Sequence, residues 1–166
     1  MSVFNDLQIR TVLTSKLMEL GNGTDNKIVV DLTPAGILGL TTANIQILAG
    51  EYSTEEKDQD AEWVEPFVVK SPQFSYTPSE QGLSKKNTQF VIWVKTQLEK
   101  GLYFNEALAG MIQAHFEDNE HLPLPNGEVL TILKTYQQST IVVDDTSGRF
   151  YNRVFVDTET YYKTRK

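Results

Sequence analysis

Both histidines of this 166-residue chain fall in one short stretch, H-F-E-D-N-E-H, from His115 to His121. With Glu117, Asp118 and Glu120 between them, it is the most metal-like cluster in the sequence. Imidazole ligands on one element want a helical i, i+4 step or a tight turn, and a separation of six residues offers neither. The competing reading sets His115 on the inner stripe of a helix with a solvated acidic helix end after it, and the spacing favours that. A second carboxylate group, Glu55, Glu56, Asp58 and Asp60, lies in the run from Glu51 to Glu62. General acid–base work needs carboxylates held together in a pocket. A contiguous charge run reads first as a solvated connector, and otherwise as an acidic surface lining a lumen or facing a partner. Asp144-Asp145 ahead of Gly148 is turn chemistry. Without any Cys there is no thiolate nucleophile, thiolate metal site or disulfide. None of the nucleophile-elbow, phosphate-loop, zincin or dinucleotide-binding motifs is present. The expectation is a protein with no catalytic residues, no metal site and no cofactor.

Composition narrows the partners. A formal charge of −7 makes a poor nucleic-acid binder, since that affinity comes from Lys and Arg clusters releasing counterions. The only basic candidate, K-T-R-K at Lys163 to Lys166, reads as a frayed, flexible tail. The start, M-S-V-F-N-D-L-Q-I-R, lacks a secretory pattern, and no apolar run approaches the roughly 20 residues of a membrane span. A single domain over residues 1–166, soluble and intracellular when made, is expected.

The elements that would carry these residues follow from periodicity. Ile9, Leu13, Leu17 and Leu20 recur at helical spacing over residues 3–20, with Ser2 as a cap and G-N-G at Gly21 to Gly23 as a stop. Ile28 to Leu32 is a short apolar run, and Ala43 to Gly50 alternates as a strand. Trp63 to Lys70 reads as a strand that Pro66 places at a sheet edge or a bulge. Thr88 to Thr96 is the strongest strand pattern and is expected to pair with it, so residues 71–87 become a long hairpin arm. A second amphipathic helix covers Tyr103 to Phe116, with Phe104, Leu108, Met111, Ile112 and His115 on its inner stripe. L-P-L-P-N-G (Leu122 to Gly127) breaks the chain. Strands at Glu128–Tyr136, Thr140–Val143 and Phe150–Tyr162 close it, the last two joined by a turn at Asp144 to Gly148. The order gives an α+β domain: a mainly antiparallel sheet, two amphipathic helices packed on one face, and a long hairpin arm.

What stands out on this frame is interaction chemistry. The arm exposes Phe74 and Tyr76 among Ser and Pro. The closing strand carries Phe150, Asn152, Val154, Val156, Thr158, Thr160 and Tyr162 on one face. Tyr151, Arg153, Phe155, Asp157, Glu159 and Tyr161 stand on the other, so both mix aromatics with polar groups. Exposed apolar patches mark partner surfaces, and arms and edge strands add to neighbouring sheets. Trp63 and Trp93 read as a cross-strand or core pair, or else as interface anchors.

In this element order the chain resembles the tail terminator proteins of long-tailed, siphovirus-type bacteriophages. The likeness runs through V-F-N-D-L-Q-I-R-T-V-L-T-S-K-L, the excursion between two central strands, and F-N-E-A-L-A-G-M-I-Q-A-H-F. It is fullest in D-D-T-S-G-R-F-Y-N-R-V-F-V-D-T-E-T-Y-Y, which looks like that family's final hairpin. The resemblance implies a non-enzymatic virion protein of the tail, assembled in the host cytoplasm. It would form a homo-oligomeric ring, typically a hexamer, on the last ring of tail tube protein, halting tube growth and offering a surface to a head completion or neck protein. DNA would only pass through, and no membrane is involved. Such a ring needs two unlike contact surfaces on each subunit. Phe74, Tyr76, Phe150, Tyr151, Arg153 and Phe155 are the candidate contacts, with Glu55, Glu56, Asp58 and Asp60 as a possible acidic lumen or partner surface. Another neck or tube protein, or a small ligand-binding α+β domain, are the alternatives.

Overall fold

In the computed structural model, the described residues are 5–20, 27–36, 42–47, 62–70, 83–146 and 148–163. Helix α1 (Asn5–Met18) is followed by β1 (Lys27–Asp31), a one-turn helix at Thr33–Ala35, β2 (Thr42–Ile47), β3 (Glu62–Lys70) and β4 (Leu83–Gln97). A one-turn helix at Leu98–Lys100 leads into α2 (Leu102–His115), then β5 (His121–Pro123), β6 (Val129–Gln137), β7 (Val142–Asp144) and β8 (Arg149–Lys163). The strands form one sheet in the order β1-β2-β3-β4-β8-β6-β5, with β7 also paired to β8. Only β2–β3 is parallel; the other described pairings are antiparallel. The expected α+β class with a mainly antiparallel sheet and two helices is what forms.

The long strand β8 organises the molecule. One of its edges pairs with β4 from Gln97↔Arg149 to Leu83↔Lys163. Its other edge takes β7 over Arg149 to Tyr151 and β6 over Val154 to Thr160. From Arg149 to Thr160 the closing strand is thus flanked on both sides by strands of the same chain, which leaves its outer face as the surface it can offer a neighbour. The arm is corrected as well. Leu83–Asn87 are not loop but the first residues of β4, paired opposite Glu159 to Lys163, while residues 71–82 lie outside the described residues. Pro66 is not on an edge strand, since β3 lies between β2 and β4. The proline is tolerated because the described pairing with β2 ends at Val64, short of it. Strand β5, inside the presumed breaker, was not foreseen; it pairs with Val129 to Thr131 across the Pro125–Gly127 turn.

Period-two alternation decides the core. Along β8, Asn152, Val154, Val156, Thr158 and Thr160 are buried, and opposite them on β4 so are Val94, Ile92, Phe90, Thr88 and Lys86. Val154, Val156, Phe90, Ile92 and Val94 join one cluster with Ile9, Leu13 and Leu17 of α1 and Phe104, Leu108 and Ile112 of α2. Burial of each such side chain is worth about 1.5–3 kcal/mol. The polar residues on this face are tolerated because they bond the sheet itself. Thr158 donates its hydroxyl to the Thr88 carbonyl at 3.0 Å, and Thr160 donates to the Val129 carbonyl at 3.0 Å. Asn152 donates to Gln137 Oε1 at 3.2 Å. Asn105, fully buried on α2, ties the helix to the sheet by donating to Thr96 Oγ1 at 2.9 Å and the Val94 carbonyl at 3.3 Å. The β7–β8 turn needs a left-handed residue and has Gly148, at φ 69°.

Candidate functional site

With the even positions of β8 committed to the core, Tyr151, Arg153, Phe155, Asp157 and Glu159 project from the opposite face and are half-buried. Register sets them across from Lys95, Trp93, Val91, Gln89 and Asn87 of β4. Strand β6 supplies Tyr136 opposite Phe155 and Lys134 opposite Asp157, after a bulge at Leu133 that moves the next residues one step in register. The result is a ladder of alternating rings and charges across three strands.

Its centre is Arg153. The guanidinium carbon lies 4.7 Å from the Trp93 ring centroid and 5.3 Å from that of Phe155. Its Nε donates to Gln138 Oε1 at 2.8 Å. Its two Nη nitrogens have no hydrogen-bond partner among the described residues. Trp93 also meets Tyr151 edge-on, with centroids 6.2 Å apart, and Lys95 Nζ sits 5.1 Å from the Tyr151 ring. Lys95 is held by Glu65 Oε2 at 2.9 Å, a carboxylate with only 3% of its residue surface exposed. On the far side, Tyr136 stacks on Phe155 at 5.2 Å with an interplanar angle of 22°. Gln89 Nε2 donates to the Tyr136 hydroxyl at 3.1 Å and to Asp157 Oδ1 at 2.9 Å. Burial raises the Tyr136 pKa, and the neighbouring Asp157 carboxylate raises it further by charge and by hydrogen bonding. Lys85 pairs with Glu159 at 2.7 Å, closing the ladder's outer end.

The charged groups of this face are thus largely held in place: Lys95 by Glu65, Lys85 by Glu159, and Asp157 by a hydrogen bond from the neutral Gln89 amide. What it offers to a partner is ring surface and the open Arg153 fork. Fixed aromatic and Arg side chains are what protein interfaces use as anchors.

Among the proposed contacts, Tyr151, Arg153 and Phe155 are brought together here. Phe150 is separated from them, being one residue off in parity and so on the helix-side face. Phe74, Tyr76, Glu55, Glu56, Asp58 and Asp60 lie outside the described residues. Trp93 meets Tyr151 and Arg153; in register Trp63 sits opposite Lys95, two residues along from Trp93, and its side chain lies outside the described ones. Gln89, Lys95, Glu65, Tyr136 and Gln138 were missed as members of the face. The alternation in T-Q-F-V-I-W-V-K-T was the available signal for the β4 members, because it puts Gln89, Trp93 and Lys95 opposite Phe90, Ile92 and Val94.

The histidine stretch is a brace. His115 Nε2 lies 2.6 Å from the Lys16 carbonyl in the last turn of α1, and 3.5 Å from Glu19 Oε2. His121 Nδ1 instead meets Thr131 Oγ1 at 3.0 Å. Between them, Asp118 Oδ1 accepts the Thr135 N–H at 2.9 Å, and Glu120 holds the buried Lys16 Nζ at 2.8 Å. Among the described residues, no group of three or more His, Asp or Glu side chains converges on a point where a cation could sit.

A cleft of about 480 Å³ opens at the other end of α2, lined by Leu102, Glu106, Gln137, Gln138, Ser139, Thr140 and Ile141. Gln138 spans the gap between β6 and β7, donating to the Tyr151 carbonyl at 3.1 Å while its own N–H reaches the Arg153 carbonyl at 3.0 Å. Among the described residues, no helix is long and apolar enough to cross a membrane.

No protein-family model matches the chain, and no curated protein matches it significantly. One solved protein structure superposes with a TM-score of 0.58 at 9% sequence identity, covering 95% of this chain and 96% of its own. At that identity the likeness establishes a shared fold over nearly the whole chain, and fold alone does not carry function.

Proposed function

We propose that this chain is a structural protein of a long-tailed bacteriophage: a tail terminator. It forms a homo-oligomeric ring, hexameric by resemblance to that family, which caps the tail tube, stops its polymerisation and presents a surface for head joining. The observation that carries the reading is the Trp93–Arg153–Phe155 ladder. It is a ring-rich face on the side of the sheet away from the core cluster, built on the strand whose sequence most resembles the family's final hairpin. In this reading the helices pack behind the sheet, the segment 71–82 contributes an arm, and ladder contacts join subunits. The tube protein and a head completion protein are the other partners, and the protein resides in the virion tail.

A second reading has one observation in its favour: the cleft is large enough for a small ligand, since such sites span about 300–1,000 Å³. Its wall is a mixture of amides, hydroxyls and a carboxylate beside two apolar side chains, without the apolar enclosure that small-ligand sites use.

The test is a tube-growth assay. A tail tube protein from the same genome is allowed to polymerise, and this protein is added at increasing ratio. Tubes that stop growing and carry a ring at one end support the terminator. If the protein itself polymerises into long tubes, it is a tube protein; if it leaves tube growth and tube ends unchanged, the terminator reading is wrong.

A further inference from the structure

The ladder has a counterpart on the same molecule. Around the cleft, the start of α2 and strand β7 leave Tyr103 71% and Val143 52% exposed, while Val142, opposite Tyr151, extends the ladder face. Leu102 and Ile141 line the cleft between them, and the Leu98 N–H bonds the Gly148 carbonyl at 3.0 Å, so this corner is contiguous with the β7–β8 turn. Its exposed charges are the carboxylates Glu99, Glu106 and Asp145 with Lys100 beside them, an acidic excess. The ladder is the converse: rings, ion pairs, the exposed Lys134, and one guanidinium oriented by stacking whose Nη fork has no hydrogen-bond partner among the described residues. Such a fork selects a planar carboxylate or phosphate with two parallel hydrogen bonds.

We infer that the ladder face docks the α2–β7 corner of a second copy of this chain, with the Arg153 fork taking a carboxylate from that corner, Glu106 foremost. The inference rests on the ring reading above and names its subunit contact. Three arguments converge on this occupant. Charge is complementary, a guanidinium fork without a hydrogen-bond partner among the described residues facing a corner with an acidic excess. Apolar surface is complementary too, since Tyr103 and Val143 are the kind of exposed side chains that association covers. The two surfaces are also unlike, and pairing unlike surfaces propagates head to tail until the rotation closes a ring. A nucleic acid fits less well. Its phosphates need many unpaired cations, while Lys95 and Lys85 are already neutralised and the chain carries −7 overall.

The test uses charge reversal and the absence of native cysteine. Arg153→Glu and Glu106→Arg, each folded by circular dichroism, are each expected to weaken self-association at least tenfold. The double variant, with the charges exchanged, is expected to recover most of it. Separately, Lys134→Cys and Tyr103→Cys place single thiols on the exposed rims of the two surfaces. With a short bifunctional thiol reagent, the chain carrying both should cross-link into a ladder of multimers, and each single variant should not. Single variants that cross-link to dimers overturn the inference in favour of a symmetric contact. An associating chain with no cross-links and no rescue overturns it while leaving the ring reading in place. Single-stranded DNA binding that is lost in Arg153→Glu, with self-association unchanged, overturns it in favour of a phosphate partner. A chain that never associates, alone or with tube protein, overturns both.

Discussion

The Arg153 guanidinium lies 4.7 Å over the Trp93 ring, directly across the β4–β8 pairing. Cation–π contacts of this sort contribute about 0.5–2 kcal/mol according to how far they are desolvated. Half-buried, this one is expected near the middle of that range. Arg153→Ala should therefore lower the unfolding free energy by about 1 kcal/mol and alter Trp93 fluorescence. A chemical-denaturation curve followed by tryptophan emission reads both, and an unchanged curve and spectrum would show that the stack contributes nothing.

The Lys95–Glu65 pair behaves differently because Glu65 is buried. Lys95→Met removes the 2.9 Å charge-assisted bond from this carboxylate and should destabilise by about 1.5–3 kcal/mol, and adding Glu65→Gln, which removes the buried charge, should recover part of the loss. Urea unfolding of the two variants checks this. Equal stabilities for the single and double variants would mean that the Glu65 carboxylate is satisfied without Lys95.

Tyr136 makes the face sensitive to alkaline pH. Its folded pKa is raised above the ordinary 10.0, so the folded state holds the phenol proton more tightly than the unfolded chain does. The associated stability is fully present below the unfolded value and is lost as pH rises through the folded one. Melting temperature should fall above about pH 10, and Tyr136→Phe should flatten that part of the profile. A profile identical in the two proteins would contradict the assignment.

His115 braces α1 through the Lys16 carbonyl at 2.6 Å. A net protein hydrogen bond is worth about 1 kcal/mol, and without the imidazole the Lys16 carbonyl keeps only the Glu19 N–H at 3.2 Å. His115→Phe should destabilise by about that much, with faster amide exchange in the last turn of α1. With the imidazole bonded to the Lys16 carbonyl, adding a divalent cation should leave the melting temperature of the natural chain unchanged.

Much of this was legible in the residues. The helical spacing of Ile9, Leu13 and Leu17 and the alternation of Val154, Val156 and Thr158 encode the core directly, because burial follows period. What alternation could not convey was which face of the closing strand is core, since Asn152, Thr158 and Thr160 make the inner face look half-polar. They are buried because each finds a partner across the sheet, a fact of register that one strand cannot reveal. Register also explains why the ladder was only half seen. Tyr151, Arg153 and Phe155 lie close in sequence, but Trp93, Tyr136 and Glu65 come from strands far along the chain. The central place of β8 was hidden for the same reason, because a strand near the chain's end can still be the middle of a sheet.

The most direct test of a ring-forming subunit is its molar mass by light scattering over rising concentration, alone and with tail tube protein. The account predicts one closed species of fixed copy number, six times 18.8 kDa on the family resemblance. A mass that stays at 18.8 kDa throughout, or one that grows without limit, would contradict it.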